Sequence, residues 1–358
     1  MDIFVLNQNF EIIDIIDCYE SLIWTERYSA CGDFELCLPM QRDLLTSLRK
    51  DNYLYIRESE CVMIIEDFEI TTDVEAGNRV RVIGRSLESI LERRIVWGQK
   101  TYSGNVNAIV KGLITDAIIS PEISDRKIDK FIFQDSSDEA VNGDSIEVQF
   151  TGDNLYEVVR MLCQSVYAGF RITLDSDDNF VFSLYAGKDR SYEQDTNPYV
   201  VFSPAFENIT DSRYVEANSS HRNVTLVAGE GEGADRKTVS VGEASGLARR
   251  ELFTDARDIS SRTNKGTLTA EQYNNQLTER GNEKLKGYTV FTAFEGRAEA
   301  TRMFRYGEDF FIGDVVQTVN EFGMESRSRI TEVIRSQDKD GSSIYPTFET
   351  IDNEKKEE

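Results

Sequence analysis

The sequence predicts an α+β fold dominated by strands. Runs rich in β-branched and aromatic residues recur over residues 1–100 and again over 201–350. Between them, and once more near 269–286, apolar residues fall into helical stripes. The third observation is composition. Twenty Phe and 15 Tyr stand against five Pro, and 40% of the side chains are hydrophobic, so the chain has the apolar surface needed to offset its conformational entropy.

The elements follow in order. Ile3, Val5 and Leu6 lead into the turn Asn7-Gln8-Asn9, and EIIDIID returns as the second arm of a hairpin. In TERYSACGDFELCLP, the residues Phe34, Leu36 and Leu38 share one strand face and Pro39 stops the strand. RDLLTSLRK reads as a short helix. NYLYIRE, CVMIIEDFEIT and RVRVIG read as strands, and SLESILERR as two turns of helix. The middle, 101–200, changes character. NVNAIVKGLITDAI and NLYEVVRMLCQSVYAG carry helical stripes, the second with Asp153 as N-cap and Gly169 as C-cap. FRITLDSDDNFVFSLYAG is a hairpin with an acidic turn at Asp175–Asn179, in a stretch holding many more acids than bases. Past 201, RNVTLVAG and RKTVSVG flank the turn EGEGAD. Thr269 and Gln272 form a capping box before a long amphipathic helix. TAFEGRAEA, VVQTVNEFG, SRITEVIRSQ and SIYPTFET are strands, and 351–358 is a frayed tail.

A weak internal repeat links two of these regions. NYLYIRESECVMIIEDFEITTDVEAGNRVRVIG and DVVQTVNEFGMESRSRITEVIRSQDKDGSSIYPTFET share a short strand, a longer strand, a polar turn and a final strand. A duplicated barrel-like unit and a chance likeness of antiparallel segments both fit this rhythm.

Charge and composition exclude several function classes. The net charge of −24 argues against a surface that holds nucleic acid by neutralising phosphates, and against docking on anionic lipid. No apolar stretch is long enough for a membrane span, and the N-terminus lacks a signal-peptide pattern. Cys18, Cys31, Cys37, Cys61 and Cys163 are odd in number with no C-x-x-C pair, as expected of reduced thiols made in a cytoplasm.

Catalytic constellations lack their parts. The Gly229, Gly231, Gly233 run is followed by a strand, not the helix N-terminus that a phosphate cradle needs. Asp175, Asp177 and Asp178 lack the glycine and glutamate of a calcium loop. Ser245 is out of register for a nucleophile elbow. His221 beside Ser220 has no third orienting group nearby, and a single histidine forbids an H-E-x-x-H zinc site. We therefore expect no catalytic residues, no metal and no cofactor. Arg93-Arg94 and Arg249-Arg250 are expected to pair with surplus acids, or with an acidic neighbouring subunit. Trp24 and Trp97 are expected in the core, ahead of the alternative that they are interface anchors.

Six segments in order, YESLIWTERYSACGDFELCLP, GRSLESILERRIV, YSGNVNAIV, NITDSRY, RRELFTDARDIS and FRYGEDFFIGDVV, resemble the tail hub proteins of long-tailed phages, a group related to baseplate hubs. The resemblance runs over about residues 1–350. It implies a baseplate-hub-like fold with two tube-like β-barrel domains, at 1–100 and 201–350, the second with a helical insertion near 269–286, and an α+β insertion domain at 101–200. It further implies a homotrimer whose three chains give a pseudo-sixfold ring, seated on a tail-tube hexamer or distal tail protein. A tape-measure protein and receptor-binding or tail-fibre proteins are its other implied partners. Such a ring closes the tube and leaves a channel for DNA, whose wall works better if acidic. The implied location is the virion tail, made in a host bacterial cytoplasm, with no membrane anchor and no specific nucleic-acid binding. Relatives often add a C-terminal peptidase or lysozyme-like domain, which is not expected here. Two other function classes stand beside the structural hub: a carboxylate-dependent cell-wall hydrolase at the tail tip, and a carbohydrate-binding host-recognition module.

Overall fold

A computed structural model describes residues 1–41, 43–73, 77–209, 212–263, 266–296 and 303–351. The chain opens with the expected hairpin β1 (Ile3–Leu6) and β2 (Ile12–Ile16), followed by β3 (Ser21–Arg27) and β4 (Asp33–Pro39). In β4 the alternation is as read: Phe34, Leu36 and Leu38 are buried and their neighbours are not. A single turn, α1 (Leu44–Ser47), precedes β5 (Tyr53–Ile56), β6 (Val62–Asp73) and β7 (Gly77–Ser86).

SLESILERR forms the two turns of helix expected of it. Leu87–Arg93 is a 3-10 helix, and its Glu88 turns inward and accepts the Ile172 backbone N–H at 2.7 Å. That tether binds it to the middle block. There β8 (Gln99–Gly104), α2 (Val106–Ile114), β9 (Phe131–Gln134), the one-turn α3 (Glu139–Asn142) and β10 (Ile146–Thr151) lead to α4 (Leu155–Ser165). The α4 cap is Asn154, not Asp153. Its side chain accepts from Tyr156 and Glu157 N–H, while Asp153 Oδ2 takes the Thr151 N–H. Gly169 does not cap α4 either; it opens β11 (Gly169–Leu174), which pairs with β12 (Phe180–Tyr185).

The last third contains β13 (Val201–Phe202), β14 (Ser212–Ala217), β15 (Val224–Ala228), β16 (Thr238–Val241) and β17 (Glu251–Asp255). A two-residue pair, β18 (Arg262–Thr263) and β19 (Gly266–Thr267), precedes α5 (Ala270–Lys286), which carries the expected capping box. Then come β20 (Phe291–Gly296), β21 (Val315–Val319), β22 (Glu325–Asp338) and β23 (Gly341–Thr350). The end of the strand read over TAFEGRAEA and the tail from residue 352 lie outside the described residues.

One 13-stranded sheet organises the molecule. Its path is β14-β20-β23-β22-β3-β4-β7-β6-β5-β1-β2, with β21 also on β22 and β13 on β21. Among the described residues no sheet closes on itself. The first and last thirds share this sheet through β22, whose Glu332–Asp338 half pairs antiparallel with β3. The weak repeat has a structural counterpart. β5-β6-β7 and β21-β22-β23 are antiparallel meanders, and the long middle strand of each carries a bulge, after Ile65 in one and after Ile330 in the other. The likeness extends two strands further, since β7 continues into β4 and β3 just as β23 continues into β20 and β14. Two five-strand units of the same order thus lie in tandem.

Each region has its own apolar cluster. Trp24, Leu22, Phe34 and Leu36 centre the first; Phe202, Phe310, Ile330 and Phe348 centre the last. The middle cluster joins α2 and α4 to Phe170 and Phe182, and recruits Val62, Ile64 and Leu91 from the first third. A small one packs Tyr273 and Leu277 of α5 on Val227 and Val241. Trp97, expected inside, is 55% exposed with Arg126 over its ring at 5.2 Å.

Candidate functional site: the junction of the three blocks

The chain concentrates its buried polar chemistry where the three regions meet. Tyr28, just past β3, is nearly fully buried. Its hydroxyl donates to the Tyr167 carbonyl at 2.9 Å and accepts the Gly187 N–H at 3.2 Å. Two glycines make room for its ring. A Cβ on Gly169 would sit 2.5 Å from it, and one on Gly313, at φ +90°, 2.2 Å from it. Arg329 of β22 stacks on the same ring at 5.4 Å. One tyrosine therefore touches the first, middle and last thirds.

Ion pairs fasten the same junction. Glu26 of β3 accepts from Arg335 of β22 at 3.4 Å and from the Tyr306 hydroxyl at 2.8 Å, with both charged side chains 9% exposed. Arg335 also lies over the Tyr306 ring at 5.1 Å. Burial, and then the Glu26 carboxylate, push the Tyr306 hydroxyl pKa well above its ordinary value. Arg27 bridges Glu332 at 2.7 Å and Asp33 at 3.1 Å. Between the middle and last thirds, buried Arg190 pairs with Asp314 at 2.6 Å, and Asp314 Oδ1 also takes the Lys188 N–H at 2.7 Å. Arg327 binds Asp189 at 2.7 Å and Glu193 at 2.9 Å.

A groove of about 1090 Å³ opens beside the junction, bordered by Tyr28, Arg329 and Glu349 on one side and by Arg160, Glu283 and Lys286 of the helices on the other. Burial pushes the Glu283 carboxyl up to about 7, with Arg280 at 3.9 Å pulling against it. Burial also raises Glu349, again opposed by an arginine, Arg329. These two carboxyls are the residues that sequence reasoning missed. Their signal is long-range burial, which no local motif carries.

The motifs weighed in the sequence lie apart from this site. The Asp175 carboxylate accepts N–H groups of Asp177 and Asn179, both at 2.9 Å, and so closes its own turn. The glycine run ends in a hairpin between β15 and β16, with Arg236 bound to Asp255 and to the Gly229 carbonyl. His221 Nδ1 meets the Tyr288 carbonyl at 3.0 Å. Of the basic pairs, Arg93 reaches Asp51 at 3.6 Å and Arg249 reaches Glu251 at 2.6 Å. Arg94 instead donates to the carbonyls of Arg126 and Arg93, and Arg250 to that of Asn218. All five cysteines are free thiols. Among the described residues no group of His, Cys, Asp or Glu is arranged to hold a metal, and no helix is long and apolar enough to cross a membrane.

Comparison with known proteins places this architecture. The chain is similar in fold to the 43 kDa tail protein of prophage MuSo2 from Shewanella oneidensis, with TM-score 0.60, 14% identity, and 97% and 98% of the two chains covered. It is similar to a tail protein from Neisseria meningitidis MC58, with TM-score 0.58, 12% identity, and coverage of 97% and 95%. A third likeness is to prophage tail protein gp18 from Listeria monocytogenes EGD-e, with TM-score 0.55, 11% identity, and coverage of 99% and 95%. No curated protein matches the sequence. The family profile described as Siphovirus ReqiPepy6 Gp37-like protein matches residues 2–348. With a β-rich fold shared with prophage tail proteins and a profile match over nearly its whole length, the chain belongs to the Siphovirus ReqiPepy6 Gp37-like family.

Proposed function

We propose that this protein is the structural hub of a phage or phage-like tail tip, a homotrimer that closes the tail tube around a channel for DNA. The observation that carries the reading is the tandem pair of five-strand units in one sheet. Three chains with two such units each present six like segments, the number a hexameric tube or distal tail protein offers. On this reading, residues 1–100 and 201–350 are the two tube-like units and 101–200 is an insertion on the outside. Tape-measure and fibre proteins are further neighbours, and the protein resides in the virion tail. The long sheet leaves Ile12, Ile13, Ile15 and Ile23 between 43% and 53% exposed, as surfaces awaiting partners do. Part of the −24 charge then lines the channel, where repulsion keeps DNA from adhering. Light scattering on the purified chain tests the reading: a trimer is expected, and a monomer at high concentration overturns it.

A second reading, a carboxylate-dependent cell-wall hydrolase, draws on Glu283 and Glu349 in the groove. It requires peptidoglycan clearing that Glu283→Gln abolishes. The hub reading expects no clearing from either protein.

A further inference from the structure

The tandem units leave two strand edges that match each other. Within the chain, the second half of β22, Glu332–Asp338, carries β3 on its outer edge and β23 on its inner one. The equivalent segment of the other unit is Asp67–Asp73 of β6, which follows the equivalent bulge and pairs with β7 on its inner edge. Among the described strands, none lies on its outer edge. At the far end of the sheet, β14 occupies in its unit the place β3 occupies in the other, and among the described strands pairs with β20 alone.

We infer that a second copy of the chain lays its β14 along Asp67–Asp73 of β6, antiparallel, in the register that β3 takes on β22. This rests on the reading of the chain as a ring-forming protein and names the seam that closes the ring.

The register follows from strand equivalence. Aligning the two bulges sets Ile70 in the place of Arg335, and following the pairings through β4 and β20 sets Tyr214 in the place of Trp24. Since Arg335 faces Trp24 within the chain, Ile70 faces Tyr214 across copies, and Glu69 faces Val215. Burial agrees. Val333 and Arg335 are covered on β22, whereas Ile70 at their equivalent face is 48% exposed. A strand edge on which no described strand lies, with an outward isoleucine at Ile70, is an association hazard that soluble monomers avoid. The docking mode needs no new backbone conformation, because the chain already makes this seam once with itself.

Paired cysteines test it. In a Cys18→Ser background, the double variants E69C/V215C and I70C/Y214C place thiols at facing positions, one of which is a non-hydrogen-bonded pair suited to a disulfide. The variant I70C/E216C, two residues out of register, separates the thiols too far to bond. Mild oxidation should yield covalent trimer from an in-register pair, none from the shifted one. Trimer by light scattering with no in-register cross-link, or with equal cross-linking by the shifted control, overturns the seam and leaves the hub reading standing. A monomer without cross-links overturns both. A covalent ladder beyond trimer keeps the seam and overturns ring closure. As a second route, Ile70→Lys should dissociate the assembly to monomers of unchanged circular dichroism; an I70K trimer as stable as wild type speaks against the seam.

Discussion

At the scale of the residue, the junction is built from groups whose neighbours decide their worth. Arg190 and Asp314 are buried together, so removing one leaves a charge without its counterpart. Arg190→Ala should cost about 3–5 kcal/mol in urea unfolding, whereas the paired change R190M/D314L should cost far less. Equal losses in the two would mean that the ion pair is not what holds this corner. Glu283 gives a prediction with a pH dependence. Its folded pKa is raised from 4.5 to about 7, so between these values the unfolded chain ionises while the folded carboxyl keeps its proton. Stability is unpenalised below the unfolded value, declines as pH rises through the window, and stays lowered above about 7. Glu283→Gln should therefore stabilise the protein at pH 8, by up to about 3 kcal/mol, and leave it unchanged near pH 4. A flat difference in melting temperature across that range would refute the assignment. None of this was legible locally. Tyr28, Gly169 and Gly313 are unremarkable in sequence and meet only because three distant segments converge. The placing of Trp97 failed for the opposite reason: Arg126, 29 positions away in the chain, covers a ring that the core does not need.

At the scale of the element, strands and caps with self-contained signals were readable. The alternation in β4 is a two-residue period on a half-buried sheet, and the Thr269–Gln272 box is complete within four residues. In α5 the Thr269 hydroxyl accepts the Gln272 N–H at 3.2 Å and Gln272 returns the contact to the Thr269 N–H at 3.0 Å. Thr269→Ala should lower stability by about 1 kcal/mol, and Thr269→Asp should restore most of it. Indifference to both, measured by thermal unfolding, would show that tertiary packing of Tyr273 and Leu277 sets the helix start. A cap whose choice depends on its neighbours' commitments was misread. The N-cap moved by one position because Asp153 is committed to Thr151, leaving Asn154 to serve α4.

At the scale of the whole molecule, the internal repeat was audible as rhythm, but its extent was not. Only the matched bulges and strand order reveal five equivalent strands, since β14 and β20 are separated in sequence by 73 residues holding two separate small sheets and α5. The acidic balance has a consequence for assembly. Chains of charge −24 repel one another at long range, so raising salt from 50 to 300 mM should strengthen self-association in sedimentation runs. Weakening over that range would mean that the contacts are themselves ionic, and would move attention from strand pairing to interfacial arginines. On the exposed face of the first unit, Arg79, Arg81 and Arg85 already pair with Glu20, Glu35 and Glu66. In the middle block, the stretch Asp135–Asp195 carries 13 acids against four bases.

The pairing of β3 with β22 also bears on synthesis. A strand finished within the first 27 residues must wait for a partner that begins at Glu325, so nearly the entire chain leaves the ribosome before that seam can form. Until then a nascent chain displays β3 with one edge lacking the partner it has in the finished protein. A truncated or stalled product would thus carry an extra adhesive strand, open to pairing with another chain. Completion of the C-terminal hairpin is the step that withdraws this edge.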